Sequence, residues 1–245
     1  MQAGKTLKML IYLDVETTGL EQNDRICSIG MILYEGEKIS TYKELIKSPK
    51  KVRPEASAVN HITNEMLQDA KEFENSEAKR ILEKYNDCDT LLVGHNVVFD
   101  IEMLKREGFV YRGGIIDTLK CSRALIPECE QFSLQYLRYE LKLYKDEKQF
   151  ADELGIELRA HDVLSDALHV RLLHRYLNEI ADDARLQELS VNPVLLEKLN
   201  FGKYKGMFIE EIAVNDANYL NWVLSSMESL DEDMRYSIEY YMKMI

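Results

Sequence analysis

The stretch Met9-Leu-Ile-Tyr-Leu-Asp-Val-Glu-Thr-Thr-Gly-Leu20 is the most informative part of this sequence. Its first part, residues 9–13, is a short apolar run, which predicts a β-strand buried on both faces. Asp14 and Glu16 follow with one residue between them, and side chains at this spacing on a strand point to the same face. Two adjacent anions at the edge of a core repel each other, and a hard divalent cation would offset that repulsion. The pair alone also fits a strand end with two solvated acids, so the metal interpretation depends on further acids.

Composition narrows the class of protein. The 245 residues suit one large domain, or a main domain with a small appendage. A net charge of -12 argues against a broad basic surface, so an enzyme of nucleic acids would depend on local basic patches and bound metal. The four cysteines are scattered without a C-x-x-C pair, which argues against a zinc site and fits a reducing cytoplasm. No apolar run approaches membrane-spanning length and no signal-peptide pattern occurs, so a cytoplasmic location is expected.

Local patterns predict an α/β domain with a mixed sheet. Strands are expected first in three consecutive segments with short links, which indicates an antiparallel meander, and later in two short apolar runs: 9–13, 25–34, 38–46, 90–93 and 115–116. Helices are expected in the stretches with apolar residues at helical spacing: a short one after Thr63 or Asn64, then 76–85, 97–106, one capped by Asp117, 133–141, and a long one ending at Ile180. Strands followed by alternating helices and strands are typical of this fold class.

Further acids and one histidine stand at the predicted strand ends and helix starts. Asp100 follows His95-Asn96, and His161 precedes Asp166 by five residues. Because five residues of a helix rotate by about 140°, His161 and Asp166 reach one site only if His161 lies in the entry turn. Asp117 is also a candidate ligand, although capping the next helix is its favoured role. His169 and His174 are interpreted as surface or packed residues of the long helix.

These motifs together resemble those of the DEDDh (DnaQ-like) 3′–5′ exonucleases of the ribonuclease H-like superfamily. The matching segments span roughly residues 8–180 and are Leu13-Asp-Val-Glu-Thr-Thr-Gly-Leu20, Gly94-His-Asn-Val-Val-Phe-Asp100 and His161-Asp-Val-Leu-Ser-Asp-Ala167. The resemblance implies a nuclease domain over residues 1–180, with a mixed five-stranded sheet flanked by helices. Many relatives carry His-Gly-Ile-Thr where this chain has Asn60-His61-Ile62-Thr63, and we expect this departure to lie away from the metal ligands.

The resemblance also implies a two-metal mechanism. Asp14, Glu16, Asp100 and Asp166 would hold two Mg²⁺ or Mn²⁺ ions roughly 3.5–4 Å apart, one helping to generate hydroxide and the other stabilising the leaving 3′ oxygen. His161 would be the general base, because imidazole titrates near neutral pH, and such a base typically contributes about 10²–10⁴-fold.

Four residues are expected to bind substrate by the same resemblance. Thr17, through its backbone, and Leu20 would contact the terminal nucleotide, Phe99 would stack on a base, and Asn96 would lie near a phosphate. Leu20 and Phe99 fit a role in the core equally well.

The C-terminal part, residues 199–245, is similar to a small module of exodeoxyribonuclease X-like proteins, with residues 181–198 expected as a linker. The match rests on Phe201-Gly202-Lys203-x-Lys205-Gly206 and Tyr219-Leu220-x-Trp222. Lys203, Tyr204 and Lys205 would suit contact with a nucleic-acid strand. The alternative is a self-packed module whose aromatic residues Phe201, Tyr219 and Trp222 form its core. The acidic stretch 228–233 would repel a nucleic-acid backbone.

The expected function is a Mg²⁺- or Mn²⁺-dependent exonuclease that acts on the 3′ ends of single- or double-stranded DNA, with no membrane partner. One alternative is a proofreading subunit bound to a DNA polymerase, and another is an exonuclease of RNA ends. A third, of a different class, is an inactive nucleic-acid-binding scaffold.

Overall fold

A computed structural model describes residues 9–227 and 230–244, and a mixed sheet of six strands lies at the centre of that part of the chain. In chain order the strands are β1 (Met9–Thr17), β2 (Ile26–Glu35), β3 (Lys38–Lys47), β4 (Lys71–Glu72), β5 (Thr90–Gly94) and β6 (Gly114–Asp117). Across the sheet the order is β4-β3-β2-β1-β5-β6, with β1, β2 and β3 antiparallel and β5 and β6 parallel to β1. The five predicted strands and their antiparallel start are confirmed, and the two-residue β4 is an unpredicted sixth strand.

Eleven α-helices cover the sheet and build the C-terminal module within the described residues. They are α1 (Pro54–Asn60), α2 (Glu77–Lys84), α3 (Val97–Arg106), α4 (Thr118–Leu125), α5 (Leu134–Glu140), α6 (Tyr144–Leu154), α7 (Val163–Leu177), α8 (Asp183–Val191), α9 (Ile209–Asn215), α10 (Ala217–Ser226) and α11 (Glu232–Lys243). In this part of the chain no helix combines the length and apolar character needed to cross a bilayer.

The side chains of β1 alternate between two cores, because consecutive residues of a strand point to opposite faces. Ile11 and Leu13 pack in the core that includes residues of α2 and α3, whereas Tyr12 packs in the core formed with α4 to α8. Asp14 and Glu16 continue the row of Tyr12. The two carboxylates therefore emerge on the face that α7 covers.

A glycine lets the start of α7 approach the sheet closely. Gly30 of β2 lies directly opposite Asp14 of β1 in the antiparallel register. A Cβ atom at Gly30 would lie only 2.6 Å from the backbone carbonyl carbon of Val163, the first residue of α7. The missing side chain thus brings the first turn of α7, which carries Asp166, next to the end of β1.

The short helix predicted after Thr63 is wrong, since residues 64–69 form turns and α1 lies earlier in the chain. Pro54 occupies the first turn of α1, where its fixed φ and missing N–H are tolerated. Asn64 does not cap a helix, because its side chain accepts from the N–H of Val52 at 2.9 Å and donates to the Val52 carbonyl at 3.1 Å. The amide therefore fastens the turn to the loop before α1.

The C-terminal module packs its three helices around its own apolar core, which includes Leu199, Ile212 and Leu220. Phe201, Tyr219 and Tyr204 lie partly buried against this core, but Trp222 is 55% exposed. A core role for Trp222 is therefore wrong.

The segment expected as a linker contains α8, and Leu186 of this helix is fully buried in the core beside β6. Part of the acidic stretch expected to repel DNA forms ion pairs within the protein, since Asp231 and Asp233 pair with Arg123 of α4. Residues 1–8, 228–229 and 245 lie outside the described residues, and the division of the chain at residues 180 and 199 stays a prediction.

Candidate active site

Three carboxylates converge where β1 ends and α7 begins. Asp14 and Glu16 come from β1, and Asp166 comes from the first turn of α7. One carboxylate oxygen of each residue lies within 4.8 Å of those of the other two. Asp14 and Glu16 are half-buried and Asp166 is buried, so protein limits the access of water to all three. The structure thus brings together three of the four predicted acids in one cluster.

The fourth acid, Asp100, reaches the same place from α3 through the backbone of β1. β5 pairs with β1 only as far as Tyr12, so the rest of β1 extends beyond its parallel neighbour. The backbone N–H of Val15, in that extension, donates to Asp100 Oδ1 at 3.2 Å. Asp100 is buried, and this contact places its carboxylate beside the residue that separates Asp14 from Glu16.

The electrostatics of this cluster favour a bound cation. Burial, followed by the negative charges of Asp100 and Asp166, holds the pKa of Asp14 well above its ordinary value. Burial and the charge of Asp166 raise the pKa of Glu16 to about 7, although a hydrogen bond from Asn60 opposes this rise. Burial also raises the pKa of Asp100. Mg²⁺ and Mn²⁺ prefer oxygen ligands, and the charge of a bound cation would offset the repulsion among these carboxylates.

His161 lies in the turn directly before α7, as the five-residue spacing to Asp166 predicted. Its side chain is exposed and does not join the three-carboxylate cluster. Its backbone has φ of 52°, which is uncommon for a residue other than glycine. The next residue, Asp162, fixes the turn, because it caps α7 by accepting from the N–H of Ser165 and pairs with Lys43 of β3. The imidazole is therefore exposed on a defined turn five residues before Asp166.

The four predicted substrate residues differ in their exposure. Leu20 is 83% exposed in the loop after β1, and Asn96 is exposed before α3. Phe99 packs half-buried against the core, and Thr17 is buried with its hydroxyl donating to the Gly19 carbonyl at 2.8 Å. A core role is thus wrong for Leu20, and it fits the packing of Phe99.

The Asn60-His61 departure does not lie away from the predicted metal ligands. The amide of Asn60 is buried, donates to the Thr17 carbonyl at 3.2 Å, and hydrogen-bonds the carboxylate of Glu16. His61 takes the left-handed conformation after α1, with φ of 59°. Glycine is favoured at such a position, whereas the side chain of histidine strains it. The expectation failed because the contact between the end of α1 and the end of β1 joins segments more than 40 residues apart, and no local pattern indicates it.

Two other polar residues of the motifs have structural roles. Asp117 caps α4 by accepting from the N–H of Leu119 at 3.0 Å and also accepts from the N–H of Asn96 at 2.9 Å, which confirms the capping interpretation. The ring nitrogens of His95 contact Thr118 Oγ1 at 3.0 Å and the Phe132 carbonyl at 2.7 Å. Burial lowers the pKa of His95 to about 4, so the ring is neutral at physiological pH.

Two side chains that contact the carboxylate of Asp166 were not predicted from the sequence as part of the site. His169, treated as a packed helical histidine, is indeed buried, and its Nδ1 lies 3.4 Å from Asp166 Oδ1. The three-residue spacing on one helix could have indicated this contact. Gln135 of α5 donates to the same oxygen at 2.9 Å, and no local pattern pointed to it.

Comparison with known proteins identifies the family. The model of a family described as Exonuclease matches residues 11–170, and a model described as Exodeoxyribonuclease X-like C-terminal matches residues 199–225. Exodeoxyribonuclease 10 of Escherichia coli strain K12 is 26% identical over 242 residues, which cover 96% of this chain and 99% of that protein. DNA polymerase III PolC-type of Staphylococcus haemolyticus is 30% identical over 160 residues, which cover 62% of this chain but only 10% of the polymerase.

Solved structures share the fold. A structure of exonuclease X in complex with 5′-overhanging duplex DNA aligns with a TM-score of 0.55 and 22% identity, over 74% of this chain and 99% of that one. Exonuclease I of E. coli in complex with a dA16 oligonucleotide aligns with a TM-score of 0.52 and 21% identity, over 74% of this chain and 42% of that one. With the matches above, the chain belongs to the exonuclease family, with the DnaQ-like, ribonuclease H-like fold and an exodeoxyribonuclease X-like C-terminal module.

Proposed function

We propose that this exonuclease hydrolyses nucleotides from the 3′ ends of DNA in a reaction that depends on two divalent cations. The observation that carries the proposal is the convergence of Asp14, Glu16 and Asp166 at one point, with Asp100 beside them. Two solved structures of the same fold are complexes with DNA, one with a 5′-overhanging duplex and the other with a dA16 oligonucleotide, which supports DNA as the substrate class.

These four carboxylates would hold Mg²⁺ or Mn²⁺. The fit rests on their chemistry, since all the donors are oxygens and the pKa of three of them is raised by burial and by one another's charge. When bound, the cations would activate a water molecule and offset the charge that builds on the phosphate. The protein fixes the ligands on a central strand and on the first turns of α3 and α7, so little reorganisation is needed when substrate binds.

His161 is proposed as the general base that removes a proton from the attacking water. Support comes from its exposed ring and from its position in the turn directly before α7, the helix that carries Asp166. His161→Gln keeps a side chain of similar reach but cannot accept the proton as imidazole does. We expect it to lower kcat by about 10²–10⁴-fold, with the affinity for Mn²⁺ unchanged. A variant that keeps the wild-type kcat would exclude this role.

Leu20 is proposed to contact the terminal nucleotide and Asn96 a phosphate, because both side chains are exposed and each lies four residues from a predicted ligand, Glu16 or Asp100. The backbone of Thr17 is also proposed to contact the terminal nucleotide, and Phe99 is proposed to stack on a base. Leu20→Ala should raise KM for DNA with a smaller change in kcat, since an exposed side chain can be removed without disturbing the ligands. An unchanged KM would show that Leu20 does not bind substrate.

One assay tests the proposal and separates it from its alternatives. Single- and double-stranded DNA and RNA oligomers, labelled at the 5′ or the 3′ end, are incubated with Mg²⁺, with Mn²⁺ or with EDTA. We expect metal-dependent shortening of DNA from the 3′ end. Faster loss of RNA would favour an RNA-end exonuclease, and no cleavage of any substrate would favour a nucleic-acid-binding scaffold.

Matched variants assign the cleavage to this site. Asp14→Ala and Asp166→Ala are expected to abolish cleavage, whereas the control Asp152→Ala, an exposed residue of α6, should keep it. Full activity of the Asp14 or Asp166 variant would refute the site.

A second candidate function is proofreading in association with a DNA polymerase. The similarity to DNA polymerase III PolC-type favours it, because the nuclease part of this chain aligns with a segment of a polymerase. The match to exodeoxyribonuclease 10 over nearly the whole of both chains favours an independent enzyme instead. Pull-down with the replicative polymerase distinguishes the two, since a proofreading subunit would be retained.

A further inference from the structure

A closed ring of polar contacts includes the carboxylate of Asp166. Besides Asp166 it consists of Gln135 and Arg138 from α5, Glu147 from α6 and His169 from α7. We call these four side chains the Asp166 ring. None of them belongs to the predicted ligands or substrate contacts.

Arg138 and Glu147 fix the orientation of the side-chain amide of Gln135. Arg138 forms a two-pronged ion pair with Glu147, with Nε to Oε2 at 2.5 Å and a terminal nitrogen to Oε1 at 2.6 Å. The other terminal nitrogen of Arg138 donates to Gln135 Oε1 at 3.1 Å. Because guanidinium only donates, the amide oxygen of Gln135 must face Arg138 and its NH₂ group must face away. That NH₂ group donates to Asp166 Oδ1 at 2.9 Å.

The second half of the ring passes through His169, which is only 3% exposed. Its Nδ1 lies 3.4 Å from Asp166 Oδ1, and its Nε2 lies 3.3 Å from Glu147 Oε2 without the geometry of a hydrogen bond. The imidazole is thus fixed between two carboxylates, one of which is already held by Arg138. Both contacts that the ring makes with Asp166 are to Oδ1.

The two carboxylate oxygens of Asp166 differ in their hydrogen bonds. Among the described residues Oδ2 of Asp166 receives no hydrogen bond, whereas Oδ1 receives those of Gln135 and His169. Outer partners that hydrogen-bond a ligating carboxylate set its orientation, and their loss typically costs about 10–100-fold in metal affinity. With Oδ1 held in this way, Oδ2 is the oxygen of Asp166 that stays available to a bound cation.

We propose, on the basis of the proposed function, that the Asp166 ring orients Asp166 as a metal ligand and that Gln135 and His169 are positioning residues of the metal site. Neither touches the reacting atoms. Their effect passes through the orientation of one carboxylate.

The test is the affinity of the metal-free protein for Mn²⁺, measured by calorimetry or by the loss of the free-ion EPR signal. Gln135→Ala and His169→Leu should each weaken binding by about 10–100-fold. His169→Asn should restore binding to within a few-fold of wild type, because the asparagine amide can donate from near the position of Nδ1. The control Gln149→Ala, at an exposed position of α6, should bind as wild type does.

The cleavage kinetics provide a second readout. At low Mn²⁺ the Gln135→Ala variant should have a reduced kcat, and saturating Mn²⁺ should restore it with KM for DNA unchanged. A role in folding alone would lower the melting temperature in EDTA without changing the Mn²⁺ affinity, and that result would overturn the proposal. Gln135 is only half-buried, so its variant keeps the test valid if His169→Leu does not fold.

The two hypotheses fail differently. Equal Mn²⁺ affinity in wild type and both variants overturns the positioning role and leaves the proposed function standing. A wild-type protein that binds no Mn²⁺ and cleaves no DNA overturns the proposed function, and the inference with it.

Discussion

The carboxylates that would bind metal should destabilise the fold when no metal is present, and Glu16→Gln tests this directly. The pKa of Glu16 rises from 4.5 to about 7, first because of burial and then because of the charge of Asp166. The folded protein therefore binds a proton at Glu16 more tightly than the unfolded chain does. Between pH 4.5 and about 7 the unfolded state loses its proton first, so the free energy of unfolding falls as the pH rises and the full cost is present above pH 7.

The magnitude follows from the shift. At 1.36 kcal/mol per pKa unit, the ionised Glu16 costs about 3 kcal/mol at most, and solvent screening of this half-buried group reduces that to roughly 2 kcal/mol. A neutral amide of the same shape removes this cost. For a chain of this size the gain corresponds to a rise in Tm of about 4–8 °C at pH 8.

The assay is thermal unfolding in EDTA at pH 8 and pH 5, with Glu37→Gln as a control at an exposed turn between β2 and β3. The Tm advantage of Glu16→Gln should be present at pH 8 and small at pH 5, where the wild-type carboxyl is protonated in the fold. Saturating Mg²⁺ should raise the Tm of wild type more than that of the variant, because the variant lacks one ligand. A variant that melts at or below the wild-type temperature at pH 8 would refute the electrostatic reasoning.

Three further predictions follow from neighbouring features. Gly30→Ala should displace the first turn of α7, since the new Cβ would lie 2.6 Å from Val163. The variant should bind Mn²⁺ at least about tenfold more weakly in a calorimetric titration. Unchanged affinity would show that the helix adapts. His61→Gly should raise the free energy of unfolding by about 1 kcal/mol in urea titration, because φ of 59° suits glycine, and a loss of stability would contradict this. Mn²⁺ affinity should fall by up to about tenfold per pH unit below pH 7, because protons compete with the metal for Glu16. Constant affinity in a calorimetric series from pH 6 to 8 would contradict the raised pKa of Glu16.

Much of the site was predictable because its parts have local signatures. The alternation of β1 put Asp14 and Glu16 on one face, and the observed packing of Tyr12 against α7 confirms that face. The five-residue spacing required His161 to lie in the turn before α7 if it was to share a site with Asp166, and His161 lies in that turn. Asp117 has the position and chemistry of a helix cap, and it is one. In each case a single strand or helix carries the information.

Other features of the structure could not be predicted from local sequence patterns. Trp222 was expected in the core of the module because large aromatic residues usually pack, but the packing of three short helices leaves it half-exposed. Asn60 was placed away from the ligands, yet the end of α1 meets the end of β1 and brings its amide to Glu16. Helix α6, which supplies Glu147, has no pattern that we recognised in the sequence.

From the amino-acid sequence alone one could predict the five main strands, the shared face of Asp14 and Glu16 and the helix cap at Asp117, because these depend on periodicity and on neighbours within one element. The family followed from the resemblance of the motifs. The proximity of Asp166 to Asp14, the hydrogen bond from the N–H of Val15 to Asp100 and the one from Gln135 to Asp166 are visible only in the three-dimensional structure. Those contacts join elements far apart in the chain, and they depend on packing distances such as the close approach at Gly30, which no local pattern encodes.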